Sequence, residues 1–206
     1  MSNDYLKKLN KLDQSVLNIK ITNSKITDNL DMSKFIALRS LNCNYNDIKK
    51  IINLPETIIF LYCSNNKNIN LLDLPESIEY LDCSECEITN LDMLPIKLKF
   101  LNCSKNKISK LENLPFYLEK IYCPHNIISN LDWLPNCLTD LDCSYNNLTS
   151  LDNLPSSILN LNCSGNSIPL LANLPRFIKT IEYYGTIIQK PNSLKIIKNN
   201  ICKKID

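Results

Sequence analysis

The feature that most constrains this chain is a period. The pattern Leu-x-Cys-Ser-x-Asn-x-Ile-x-x-Leu-x-x-Leu-Pro is clearest over Leu141–Pro155. It opens at Leu41, Leu61, Leu81, Leu101, Ile121, Leu141 and Leu161, every 20 residues. Self-similarity at this length marks a solenoid, because one unit cannot bury its apolar face alone and stacked neighbours build a shared core. Within a unit, alternation places Leu141 and Cys143 on one face and Asp140, Asp142 and Ser144 on the other, which predicts a short strand. The Leu-Pro pairs, from Pro55 to Pro175, remove a backbone donor and push the preceding Leu to extended geometry. The returning half of each coil is therefore expected to be extended or polyproline-like, not helical.

The units at the ends are worn. Ile19, Ile21 and Ile26 match the Leu, Cys and Ile positions in a longer first unit, and Ile181–Tyr184 begins a last one with Tyr183 in place of Cys. Two departures interrupt the middle: Asn68-Ile69 shifts the Ile by one residue, and Cys86 replaces the Asn of the next unit. The Cys86 turn is expected to be the weaker for it. Residues 4–17 predict an amphipathic helix with Tyr5, Leu9, Leu12 and Val16 on one face, and residues 192–204 a second with Leu194, Ile197 and Ile201. Terminal coils need such covers. The expected organisation is one domain over 1–206: a helical cap (1–18), eight to nine repeats (19–184) and a second helical cap (185–206).

Read from three residues earlier, a unit is L-x-x-L-x-C-S-x-N-x-I, as in Leu138 to Leu148. This resembles the leucine-rich repeat, with Cys in one Leu position. The short period with Leu-Pro in its second half is similar to the repeats of bacterial secreted effectors. The wording L-x-C-S-x-N-x-I in an Ile/Asn/Lys-rich chain looks like the leucine-rich-repeat proteins of mimivirus-type giant viruses. The resemblance implies an α/β repeat solenoid, a right-handed coil with a parallel β-sheet on its concave face. The residues themselves also imply the strand and the non-helical return.

Composition narrows the function classes. The 206 residues are 44% hydrophobic and 21% charged, a foldable composition, and a net charge of +2 gives no field that implies nucleic acid or an anionic membrane. The N-terminus is charged where a signal peptide needs an apolar core, and no window approaches the roughly 18 apolar residues of a membrane span. A cytoplasmic location is expected, in the host cytoplasm if the protein is viral or an effector. Seven of the 10 cysteines, Cys43 to Cys163, fill one repeat position, as small buried apolar residues would, so reduced thiols are expected. With only 2 glycines, the turns must use another residue, and Asn tolerates left-handed φ. The column Asn46, Asn66, Asn106, Asn126, Asn146 and Asn166 is placed to pair with backbone groups of its own and adjacent coils.

The chain holds little that suggests chemistry. Cys83 and Cys86 have the spacing of a redox or metal pair, but Cys83 belongs to the interior column and no second pair exists at zinc spacing. His125, the single histidine, is expected on the outside while Cys123 points in. Asp92, Glu112, Asp132 and Asp152 form an acidic column expected to cap local turns. No cofactor, metal site or catalytic residue is expected, and an enzymatic reading would have to rest on Cys86, Cys137 or Cys202. What remains is the outward face of the strands. Phe60, Tyr62, Tyr80, Phe100 and Tyr122 fall on four consecutive coils, with Asp82, Asp140 and Asp142 beside them and Tyr45, His125 and Tyr145 at the strand ends. Grouped exposed aromatics are the material of interaction hot spots. The expectation is a monomeric, non-enzymatic protein–protein interaction module binding an unidentified protein through Phe60, Tyr62, Tyr80, Asp82, Phe100, Tyr122, Asp140, Asp142 and Tyr145. The alternative is a substrate-recognition subunit or adaptor of a ubiquitin ligase, against which the short segments flanking the repeats weigh.

Overall fold

The computed structural model describes residues 4–186. Helix α1 (Asp4–Lys11) precedes eleven short strands: β1 (Asn18–Lys20), β2 (Leu30–Asp31), β3 (Ser40–Asn42), β4 (Ile51–Ile52), β5 (Phe60–Tyr62), β6 (Tyr80–Asp82), β7 (Phe100–Asn102), β8 (Lys120–Tyr122), β9 (Asp140–Asp142), β10 (Asn160–Asn162) and β11 (Thr180–Glu182). Nine of them form one parallel sheet in the order β1-β3-β5-β6-β7-β8-β9-β10-β11, one strand per coil. The register never slips: Leu61 pairs with Leu41 and Leu81, and Leu141 with Ile121 and Leu161. A register error of one residue would turn every Leu outward, so the buried column fixes the pairing.

The interior is a single stack. Leu41, Leu61, Leu81, Leu101, Leu141 and the repeat cysteines Cys43, Cys63, Cys83, Cys103, Cys123, Cys143 and Cys163 are buried, together with Ile48, Ile108 and Ile128 from the turn beyond the strand. Each cysteine N–H, and in most coils the thiol as well, points to the carbonyl of the next strand. Cys123 Sγ, for example, lies 3.2 Å from the Asp142 oxygen. Burial pushes the Cys43 and Cys103 thiols up to about 12, so these are neutral, inert groups. The first coil is covered by α1, whose Leu9 is buried with Tyr5, Leu12 and Val16 packed beside it. The helix ends at Lys11, earlier than the periodicity suggests. Asp13 then caps a turn, accepting from the Ser15 N–H at 2.8 Å and hydroxyl at 2.6 Å. The second expected helix lies outside the described residues.

The Asn column forms a ladder through the core. Asn126 Nδ2 donates to the carbonyls of Cys123 in its own coil and Cys103 in the preceding one, each at 3.0 Å, while its Oδ1 accepts from Ile108 N–H at 3.0 Å. Asn66, Asn146 and Asn166 repeat this arrangement. Among the described residues no buried side-chain polar atom lacks a partner.

The returning side carries no helix among the described residues. Its extended stretches, which include the two-stranded sheet of β2 and β4, are broken by two turns per coil. One follows the proline, whose carbonyl accepts from the residue three on, as in Leu118 N–H to Pro115 O at 3.1 Å. The other holds a left-handed residue, Asn53, Asp73, Met93, Asn113, Trp133, Asn153 or Asn173. A second left-handed column sits just after the strands: Tyr45, Asn65, Glu85, Lys105, His125, Tyr145, Gly165 and Gly185. Asparagine thus supplies four of these seven left-handed residues on the returning side, with Asp73, Met93 and Trp133 at the others, but only Asn65 at the strand end. The expected turn caps are also placed differently. Asn70, Asn90, Asn130 and Ser150 cap the turn, each accepting from the backbone N–H two residues on. Of the acidic column, Asp132 and Asp152 instead tie to the left-handed Asn of the next coil, at 2.8 and 3.0 Å.

Candidate interaction surface

The outward side chains of the strands lie on the exposed face of the sheet, where the parallel register sets one ring above the next. Phe60, Tyr80 and Phe100 share a column through the β5–β6 and β6–β7 pairings. Tyr80 and Phe100 stack with centroids 4.2 Å apart and planes within 3°. Phe60 lies 6.1 Å from Tyr80, and Tyr62, from the neighbouring column, 5.1 Å from the same ring. Tyr122 ends the group, 5.1 Å from Phe100 and turned 84° to it. These five rings form one continuous strip. Burial by its neighbours, then the nearby Tyr62 hydroxyl and Asp82 carboxylate, raise the Tyr80 hydroxyl above its ordinary value. Phe60 and Tyr122 remain 41% and 38% exposed, while Tyr62, Tyr80 and Phe100 are half-buried.

The remaining expected residues divide. Asp82 and Asp142 lie on the same face, and each accepts from the N–H and hydroxyl of the serine two residues on, Ser84 or Ser144. Asp140 is held within the solenoid by the Thr139 hydroxyl at 2.7 Å, Asn160 Nδ2 at 2.9 Å and Lys120 Nζ at 3.7 Å. Tyr145 belongs to a separate group at the turn beyond the strands. Its ring stacks on His125 at 4.5 Å with planes 6° apart, and its other neighbour is Gly165, where a Cβ would meet the Tyr145 ring at 2.6 Å. Glycine there leaves room for the tyrosine as well as permitting φ of +63°.

Of the three candidate cysteines, two fall among the described residues. Cys86 is buried with its thiol 3.3 Å from the carbonyls of Cys63 and Ser84, and burial pushes it up to about 11. Cys137 is half-buried, and Cys202 lies outside the described residues. Among the described residues no three metal-ligating side chains cluster, and no helix is long and apolar enough to cross a membrane.

The returning side also carries a concavity that the repeat pattern does not signal. A groove of about 440 Å³ opens on the returning side between the coils of Leu61 and Leu81, lined among others by Ile69, Leu71, Leu72, Ile88 and Leu91. It lies beside the two departures from the repeat, and Asn68 and Glu87 there adopt left-handed φ of 58° and 61° that most coils lack at those positions.

Short parallel strands, one per 20-residue coil, with a Cys/Leu interior and a through-core Asn ladder, define a leucine-rich-repeat solenoid. Solved structures agree. The chain is similar to the Shigella effector leucine-rich-repeat domain (25% identity, TM-score 0.56, covering 94% of this chain and 80% of that one). It is also similar to the functional domain of InlJ from Listeria monocytogenes, described as including a cysteine ladder (25% identity, TM-score 0.59, covering 91% and 53%). YopM, a leucine-rich effector protein from Yersinia pestis, shares the fold at 24% identity and TM-score 0.56, covering 73% and 56%. The chain spans about half the length of the InlJ and YopM structures. No protein-family model and no curated protein sequence matches it.

Proposed function

We propose that this protein is a non-enzymatic protein–protein interaction module, acting in the cytoplasm, that takes its partner on the outward, concave face of the sheet. The observation that carries this reading is the continuous strip of Phe60, Tyr62, Tyr80, Phe100 and Tyr122. Rings locked by mutual stacking lose little entropy when a partner covers them, which is what an anchor patch requires. The inert thiols and the fully partnered interior fit a scaffold better than a catalyst. Replacing Phe60, Tyr80 and Phe100 together by Ser should abolish capture of the partner in an affinity pull-down while the melting temperature changes little. Loss of stability with capture intact would show that the strip only staples coils together. Ligase subunits among the captured proteins would turn the reading toward the substrate-receptor alternative.

A further inference from the structure

The sheet face changes character along its length. From β5 to β7 it is the aromatic stack. From β8 to β11 it becomes a shallow cleft of about 210 Å³, lined among others by Tyr122, Asp140, Asp142, Asn160, Asn162 and Glu182. The cleft is therefore acidic on a chain whose net charge is +2. Its three carboxylates are not equivalent. Asp140 is committed to Thr139, Asn160 and Lys120. Asp142 commits only Oδ1, to the Ser144 N–H at 3.0 Å and hydroxyl at 2.6 Å, which orients the carboxylate and leaves Oδ2 unbonded among the described residues. Glu182 makes no ion pair among the described residues. Tyr122, turned out of the aromatic stack, stands where the apolar half meets the acidic half.

We propose that this face takes an extended cationic polypeptide segment, an apolar side chain of which rests on the Tyr80–Phe100 stack while two basic side chains reach Asp142 and Glu182. The proposal rests on the interaction-module reading and adds the chemistry and spacing of the partner. Phe100, Asp142 and Glu182 sit on β7, β9 and β11, so successive contacts are two strands apart. At ~4.8 Å per strand that is ~10 Å. A polyproline-type helix rises ~3.1 Å per residue with three residues per turn, so positions i, i+3 and i+6 share one face at ~9 Å intervals. A β-conformation matches less well, since its side chains alternate and the one at i+3 would point away from those at i and i+6. The segment expected is therefore apolar at i and Arg or Lys at i+3 and i+6. Arginine fits best, because its planar guanidinium can lie on Tyr122 while donating to Asp142.

The test uses the full chain and a labelled ten-residue peptide with Leu at its second position, Arg at the fifth and eighth, and Pro elsewhere. Fluorescence anisotropy should show saturable binding that weakens as salt is raised, and no binding when both Arg are replaced by Glu. Asp142→Asn combined with Glu182→Gln should weaken binding about tenfold or more, as expected for losing two opposed charges. The first change keeps the fold, because Asn102 and Asn162 already accept from Ser104 and Ser164 as Asp142 does from Ser144. Equal binding of the Arg and Glu peptides, or an unchanged affinity in the double variant, would overturn the charge selection. The aromatic reading would then still stand or fall with the triple Ser variant. No binding of any peptide up to about millimolar concentration would also overturn the proposal. So would concentration-dependent dimerisation that blocks the peptide, in favour of a second copy as occupant.

Discussion

At the scale of single residues, the ladder Asn and the one position that lacks it explain each other. In a regular coil the Asn donates to two Cys carbonyls and accepts one N–H, and each of those carbonyls also receives the Asn of the adjoining coil. Cys86 fills part of this role: its thiol reaches Cys63 O, and its backbone carbonyl takes the Asn68 N–H at 2.8 Å. It does not reach Cys83 O, which therefore depends on Asn106 Nδ2 at 3.0 Å. Asn106 Oδ1 in turn accepts two N–H groups, from Cys86 and Ile88, each at 3.0 Å. The two amides thus differ in what their removal strands. Asn126→Ala leaves the Ile108 N–H without its partner, while both Cys carbonyls keep another donor. Asn106→Ala strands two N–H groups and one carbonyl. At ~1–3 kcal/mol for each buried unsatisfied group, the second change should cost roughly twice the first or more. Equilibrium denaturation of both variants checks the order, and equal losses would mean that Cys86 disturbs nothing beyond its own turn.

At the scale of elements, the coil that opens at Leu81 combines this loss in the core with a fringe of charge outside. Glu87 bridges to Lys107 at 2.7 Å and Lys67 at 3.4 Å, Glu85 to Lys105 at 3.0 Å, and Glu79 to Lys99 at 2.8 Å, so that coil is tied to both neighbours. Hydrogen bonds from Lys107 and then Lys67 hold the Glu87 carboxyl below its usual value of 4.5. A carboxyl depressed in the folded state stabilises fully above its unfolded pKa, and the contribution disappears as pH falls through the folded value. Glu87→Gln should therefore lower the melting temperature slightly at neutral pH in low salt. The difference from the parent should shrink toward zero in about 1 M salt and again near pH 3. A gap that persists at both extremes would point to packing and not charge. Much of this element was legible in the sequence and some was not. The strand, the inward Cys and the Asn ladder follow from alternation and from the need to partner buried amides. The left-handed Tyr45, Lys105, His125 and Tyr145 do not. There the fold imposes the backbone, through bonds such as Tyr145 N–H to Ser164 O at 2.7 Å, against the residues' own preference. Asn68-Ile69 and Cys86 read as two independent irregularities in the sequence, and only the Asn68–Cys86 bond between coils shows them to be one local change.

At the scale of the whole molecule, the solenoid has no centre, only neighbours. Nine strands at ~4.8 Å make a sheet ~40 Å long in which, among the described strands, β7 pairs only with β6 and β8. The aromatic strip was legible in the sequence because a constant period of 20 carries outward positions onto one another. The commitment of Asp140 and the stacking of Tyr145 on His125 were not, since both depend on side chains meeting across coils. The same geometry governs how damage spreads. Leu101 is fully buried and pairs in register with Leu81 and Ile121, so Leu101→Ala should cost ~2–5 kcal/mol through lost burial and the cavity left behind. In a globular core that loss would be shared by every amide that exchanges through global unfolding. In a chain of nearest-neighbour couplings it weakens the two interfaces of one coil. Hydrogen exchange should then lose protection most in β6, β7 and β8, with β3 and β10 changing far less. Uniform loss from β1 to β11 would mean that the coils unfold as a single cooperative unit, and that coupling between them exceeds what one interface can lose.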